Sequence, residues 1–189
     1  MSKNLLPAEL ELWKKCSACS LGSRAKYHVL GRGVLPADVV FIGEGPGKSE
    51  DALGEAFVGP AGRILQKAIG EELTARARLF FTNLVACRPC DTLQGENRAP
   101  TGEEISACSE RLILTLQNSE ATGVILCGRL PQSVYKILQR AGKVRSDAEL
   151  HPLYVPHPSW LLRNGGEKSS EFPRYCATIR EYIGRNLAC

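Results

Sequence analysis

Three short apolar runs, each stopping at glycine or at polar residues, do most to limit what this chain can become. They are Val39-Val40-Phe41-Ile42, the segment Leu79-Phe80-Phe81-Thr82-Asn83-Leu84-Val85, and Val124-Ile125-Leu126-Cys127. A run of this kind, with little polar alternation, has both faces buried and belongs inside a mainly parallel sheet covered on each side. Leu153-Tyr154-Val155 reads as a fourth, shorter strand. Helical patterns fall between and around the strands. One runs from Pro7 to about Lys15, and one from Pro60 to Ile69 with Ile64, Leu65, Ala68 and Ile69 on one face and Gly70 as a stop. Thr101-Gly102-Glu103-Glu104 matches a capping box and opens a helix to about Gln117. Pro131 to about Ala141 and Pro173 to about Asn186 complete the set. This alternation predicts an α/β fold: one domain over residues 1–189, with a short, mainly parallel four-stranded central sheet flanked by helices.

In such sheets ligands bind beyond the carboxyl ends of the strands. Three loops with unusual residues fall there: Gly43-Glu44-Gly45-Pro46-Gly47 after Ile42, Thr82-Asn83 after Phe81, and His157-Pro158-Ser159 after Val155. The first, continued by Lys48-Ser49, looks like a phosphate-binding loop but fails the pattern. Ile42 stands where that motif needs a glycine, Pro46 removes a backbone donor, and no second strand ends in an aspartate to hold magnesium. A nucleoside triphosphatase is therefore disfavoured.

The chain has eight cysteines, which could mean disulfides in a secreted protein. The N-terminus lacks a signal-peptide pattern, turning acidic at Glu9 and Glu11, and no apolar run is long enough to span a bilayer. The expectation is a cytoplasmic protein, not membrane-bound, with reduced thiols and a metal site. Cys16-Ser17-Ala18-Cys19 supplies two thiolates, and Cys87, Cys90 and Cys108 are the candidates for two more. Cys16, Cys19, Cys87 and Cys90 form two pairs with zinc-ribbon spacing, but the gap between the pairs is too long for a compact ribbon. A site using Cys108 is equally reasonable, so spacing alone leaves Cys90 and Cys108 as rivals. Cys127 reads as a core strand residue, and Cys176 and Cys189 as incidental. A net charge of +4 is compatible with a polyanionic partner, whereas aromatics at only 6% argue against a broad stacking platform for single strands.

Taken in order, these segments resemble the family 4, iron–sulfur uracil-DNA glycosylases over most of the chain, from Cys16 through Arg163. Gly43-Glu44-Gly45-Pro46-Gly47 with Glu50-Asp51 resembles the first family motif. Gly54-Glu55-Ala56-Phe57-Val58-Gly59-Pro60-Ala61-Gly62 resembles the second, with Ala56 in place of a proline. Thr82-Asn83-Leu84-Val85-Ala86-Cys87-Arg88-Pro89 and Asn97-Arg98-Ala99-Pro100-Thr101 follow, and His157-Pro158-Ser159-Trp160-Leu161-Leu162-Arg163 resembles the last, with Trp160 where tyrosine is usual. The chain departs from the family in extra residues at Asp91 to Glu96 and in a shortened segment between Lys143 and His151. The insertion has no histidine, which argues against the covalent uracil-trapping chemistry of some relatives.

The resemblance implies a four-iron, four-sulfur cluster on Cys16, Cys19, Cys87 and Cys108, with Cys90 a bystander. It also implies a DNA-repair glycosylase that flips uracil out of single- or double-stranded DNA and hydrolyses its N-glycosidic bond, leaving an abasic site. A base- or DNA-binding module without cleavage is the alternative. A monomer is expected. Under the main reading Phe57 stacks on the base, and the Asn83 amide reads O4 and N3–H together. Backbone groups of Gly43, Glu44 and Gly45 approach O2. His157 donates to O2 as negative charge collects there, and Glu44 positions water or favours the cationic sugar. Leu161 or Leu162 fills the gap left in the base stack, and Arg163 holds phosphate.

Overall fold

The computed structural model describes residues 6–92, 94–145 and 150–187. The expectations resting on Met1 to Leu5, on Leu93 of the insertion, on Ser146 to Glu149 of the shortened segment and on Cys189 lie outside them.

The apolar runs become strands, and a fifth joins them. The strands are β1 (Arg32–Gly33), β2 (Val39–Gly43), β3 (Leu79–Asn83), β4 (Gly123–Cys127) and β5 (Leu153–Val155), in the sheet order β1-β3-β2-β4-β5. All neighbours run parallel except β1, which pairs antiparallel with β3 through Arg32↔Phe81 and Gly33↔Phe80. The helices are α1 (Ala8–Glu11), α2 (Lys48–Leu53), α3 (Pro60–Ile69), α4 (Glu71–Arg76), α5 (Gly102–Ser119), α6 (Arg129–Arg140), α7 (Pro158–Arg163) and α8 (Phe172–Arg185).

Every residue of β2, β3 and β4 is buried. Strand parity then sorts the side chains between two cores. Val39, Phe41, Leu79, Phe81, Ile125 and Cys127 face Ile64, Leu65, Ala68 and Ile69 of α3, Leu161 of α7, and Ile179 and Ile183 of α8. Val40, Ile42, Phe80, Val124 and Leu126 face Leu112 and Leu116 of α5 and Tyr135 and Leu138 of α6. Burying a side chain such as Phe41 or Ile42 completely contributes about 2 kcal/mol. The register puts Gly43 beside Asn83, Ile42 beside Leu126, and Cys127 beside Val155. The carboxyl ends of four strands therefore lie along one edge of the sheet, and the loops leaving them converge.

The sheet has five strands where four were expected. β1 carries no apolar signal, because its pairing depends on missing side chains. A Cβ on Gly33, whose φ is +121°, would lie 2.0 Å from the Leu79 carbonyl oxygen, and one on Gly31 would lie 2.3 Å from Phe80. The first helix is divided, with a 3-10 turn at Leu12–Lys15 following α1. β3 ends at Asn83, not at Val85; beyond it the Leu84 and Val85 N–H groups donate to the Gly43 and Glu44 carbonyls at 2.9 and 3.4 Å. The expected capping box forms as written: Glu104 N–H donates to Thr101 Oγ1, and Thr101 N–H donates to Glu104 Oε2.

Candidate functional site

A cleft of about 750 Å³ opens where the strand ends converge. Its walls include Glu44, Gly45, Phe57, Asn83, His157, Leu162 and Arg163, together with Lys48, Glu50, Asn97, Arg98 and Ser159. Five residues singled out for base handling thus meet there from separate loops, and the sixth, Gly43, lies directly behind them. A Cβ on Gly43 would lie 2.4 Å from Asn83 Oδ1 and 2.7 Å from Phe57 Cζ, so its missing side chain is what lets amide and ring come together. Asn83 is 4% exposed, and its amide makes no hydrogen bond among the described residues. A nearly buried amide of this kind calls for a partner from outside.

Phe57 holds its ring in the cleft wall at the cost of a left-handed backbone, φ +55°. For a residue with a side chain this costs about 1–2 kcal/mol. Gly62, in the first turn of α3, makes the conformation possible, since a Cβ there would lie 1.9 Å from the Phe57 carbonyl oxygen. Behind Phe57 lies Phe81, at 5.9 Å between ring centroids, and Phe81 stacks on Phe41 at 4.8 Å. Glu50 ties the two loops of this wall together: its carboxylate accepts from Gly47 N–H at 3.1 Å and from Gly59 N–H at 2.9 Å.

His157 caps the N-terminus of α7. Its Nδ1 accepts from the Ser159 N–H at 3.2 Å and lies 2.8 Å from Ser159 Oγ. An Nδ1 that accepts from an amide carries no proton, so in the neutral ring the proton is on Nε2. Burial first, and the Arg163 charge second, push the imidazole down to about 4. The ring is therefore neutral at physiological pH, with one N–H left to donate. Arg163 also donates to Ser159 Oγ at 3.3 Å, completing a chain from its guanidinium to the imidazole. Glu44, partly buried in the same cleft, has its carboxyl raised by desolvation.

One expectation is corrected. Leu161 is 0% exposed and packs in the core with Ile64 and Leu65, so it does not reach DNA. Leu162 is 38% exposed and lines the cleft, leaving it as the candidate wedge.

The cysteine question also takes a definite form. Cys16, Cys19, Cys87 and Cys108 line one cavity with Trp13, Leu21, His28, Val85 and Ala107. Cys90 is elsewhere: it is 3% exposed, and its thiol donates to the Arg88 carbonyl at 3.7 Å. Among the described residues no group of three or more His, Cys, Asp or Glu side chains forms a site for a single metal ion. The four thiols instead surround an apolar space. Burial first, then the neighbouring Cys108, Cys19 and Cys16, push the Cys87 thiol up to about 12, with the Arg111 charge opposing them. Four sulfurs around an apolar space suit a positively charged iron core, which favours the thiolate form. Backbone N–H groups of Ala86 and Ala18 point at Cys108 Sγ and Cys16 Sγ, at 3.4 and 3.5 Å, as donors to charged sulfur. The donor set fits such a group.

Some residues of the site had no reading of their own in the sequence. Glu50 and Ser159 stand inside the family motifs without a role of their own. His28, whose Nε2 lies 2.9 Å from the Cys16 carbonyl oxygen, and Arg111 had no reading at all. Arg111 carried a usable signal: it sits in the buried stripe Arg111, Leu112, Thr115, Leu116, Ser119 of α5, where a cation is out of place.

At the strand ends of a mainly parallel sheet, the cleft brings together an aromatic ring, an unpaired amide and a neutral histidine, an arrangement able to receive a planar polar ring. The family model of the uracil DNA glycosylase superfamily matches residues 30–180. The type-4 uracil-DNA glycosylase of Thermotoga maritima is 33% identical over 91% of this chain and 89% of its own length. The type-4 enzyme of Pyrobaculum aerophilum is 36% identical over 81% and 82%, and that of Saccharolobus solfataricus 38% over 70% and 62%. The chain belongs to the uracil DNA glycosylase superfamily and, within it, to the type-4 family.

Proposed function

We propose that this protein excises uracil from DNA as the first step of base excision repair, acting as a cytoplasmic monomer on single- or double-stranded substrate. The observation that carries the proposal is the meeting of Gly43, Asn83 and His157 at strand ends with Phe57 from the loop before α3 around one cleft. A base inside a duplex is shielded and must be rotated out, at a cost of a few kcal/mol. The extrahelical uracil stacks on Phe57. The Asn83 amide donates to O4 and accepts from N3–H, a pattern that cytosine reverses.

The bond between C1′ and N1 then breaks, and its electron pair stays with the base. Negative charge collects at O2, where the His157 Nε2–H donates. One preorganised donor of this kind is worth about 3 kcal/mol in the transition state. The neutral imidazole suffices, because Nδ1 is occupied by the Ser159 N–H and Nε2 keeps its proton to donate, so the ring need not be protonated for the step. Water adds to C1′, its oxygen bonding to the sugar and its proton passing to solvent or base. Glu44 beside this position orients the water and favours the cationic sugar. Leu162 fills the gap in the stack, and Arg163 holds the backbone. Cys16, Cys19, Cys87 and Cys108 would hold a four-iron, four-sulfur cluster. When bound, it cross-links the N-terminal segment, the chain after β3 and α5.

The test is single-turnover incubation with an oligonucleotide bearing one uracil, followed by alkaline cleavage at abasic sites. Strand scission at the uracil position, absent from a thymine control, is the expected result. Tight binding without scission would reduce the protein to a base-binding module.

A further inference from the structure

Arg111 is a buried cation that none of the chemistry above uses. It is 0% exposed and heads the fully buried side chains by size. Its guanidinium donates to Thr82 Oγ1 at 2.8 Å, to the Asn83 carbonyl at 2.5 Å and to the Leu84 carbonyl at 2.9 Å. Among the described residues no carboxylate pairs with it, and its Nε is buried without a partner. Its charge favours ionisation of the Cys87 thiol, but no carboxylate among the described residues offsets it; a buried guanidinium without one is expensive, and an apolar side chain in the same helical stripe would pack at lower cost. What the arginine adds is direction. Its planar fork aims N–H groups at three consecutive residues of the turn where β3 ends and Asn83 leaves the sheet.

We propose that Arg111 is a positioning residue for base recognition: it clamps the backbone of residues 82–84 and so fixes the angle at which the Asn83 amide enters the cleft. The proposal rests on the uracil-reading role of Asn83 and deepens it. An amide distinguishes uracil from cytosine only if its donor and acceptor both lie in the plane of the base, so a small rotation of the turn costs recognition before it costs folding. Thr82 extends the clamp, since its hydroxyl donates to the Leu30 carbonyl at 2.9 Å on the approach to β1. α5 brings the other end. Cys108 lies one turn before Arg111, and its sulfur accepts from Ala86 N–H, so the clamp and the cysteine cavity share one stretch of helix.

The test separates base reading from general stability by using two ligands. One is free uracil, which fills only the base pocket. The other is duplex DNA carrying a tetrahydrofuran abasic analogue, which engages the DNA surface and offers no base. Arg111→Met should weaken free uracil about tenfold while leaving the abasic duplex unchanged, the size of effect expected when one hydrogen bond is misaligned. Arg111→Lys should fall between, because it keeps the charge but one ammonium cannot serve three acceptors in the same fixed geometry. If Arg111→Met does not fold, Thr82→Val carries the test: it removes one acceptor, keeps the cation, and should show the same selective loss at about threefold. Unchanged uracil affinity in the folded variants, or equal loss for uracil and abasic duplex, would overturn the clamp. Failure of the underlying reading would look different, since Asn83→Ala in the otherwise wild-type protein would then leave free-uracil affinity unchanged.

Discussion

Replacing His157 with glutamine should remove a specific part of the pH dependence of stability. The folded imidazole is held at about 4 by burial, against an ordinary value of 6.5. Between those values the unfolded chain takes up a proton that the folded chain refuses. The group therefore costs nothing above about pH 6.5, where both states are neutral, and destabilises the fold progressively as pH falls toward about 4. At about 1.4 kcal/mol per pH unit the full loss across this window is ~3 kcal/mol. Urea unfolding of wild type and His157→Gln at about pH 7, 5.5 and 4.5 isolates this contribution, because carboxylates common to both proteins cancel in the difference. The wild type should lose stability relative to the variant as pH falls, by ~3 kcal/mol at most. Parallel curves across the window would refute the buried, neutral imidazole. Catalysis gives a second check on the same premise. Single-turnover excision should show no step near pH 6.5 attributable to His157, and His157→Ala should lose about 10²–10³-fold with DNA affinity retained. A wild-type titration midpoint near 6.5 that vanishes with the histidine would mean that the donor is not the neutral ring.

Other substitutions test other parts of the site. Purified anaerobically, the protein should be brown with about four irons per chain, and Cys108→Ser should bleach it whereas Cys90→Ser should not; iron analysis and visible absorption decide, and bleaching by Cys90→Ser alone would refute the ligand set. Asn83→Asp should lower uracil excision and admit cytosine, because a carboxylate loses the donor for O4 and accepts from the cytosine amino group; release of both bases from matched oligonucleotides measures it. Leu161→Ala and Leu162→Ala should part company. The first should lower thermal stability by about 2–5 kcal/mol as a core truncation, while the second should leave stability nearly intact and slow excision most from U·A, less from U·G and least from a single strand.

The fold was legible where burial wrote it into the sequence. β2 and β4 are uninterrupted apolar runs, and α3 shows its core face at Ile64, Leu65, Ala68 and Ile69. β1 was not legible, because Gly31 and Gly33 act by lacking side chains, and no hydropathy pattern records an absence. α4 and α7 were missed because six residues are too few to display a period. For the site, the strand-end rule located the loops of Gly43, Asn83 and His157 from the sequence alone. It could not say that Phe57, on a separate loop, would swing back against Gly43. The choice between Cys90 and Cys108 is a three-dimensional one. Both are near Cys87 along the chain, and only the path of α5 turns Cys108 toward Cys16 and Cys19. The leucine pair likewise needed the rotation of α7 to show which member faces outward.

The close approach at Gly43 makes two distant parts of the gene a single unit of variation. The space a side chain would need at Gly43 is taken by the Asn83 amide and the edge of Phe57. Even a methyl group there would have to expel one of them, so position 43 cannot drift while Asn83 stays as it is. The dependence also runs the other way. A different residue at 83, chosen to read another base, meets a wall without a side chain to brace it and leaves a void against bare backbone. Apart from the isosteric Asn83→Asp, attempts to change base preference one position at a time should therefore stall, and productive libraries should vary 43, 57 and 83 together.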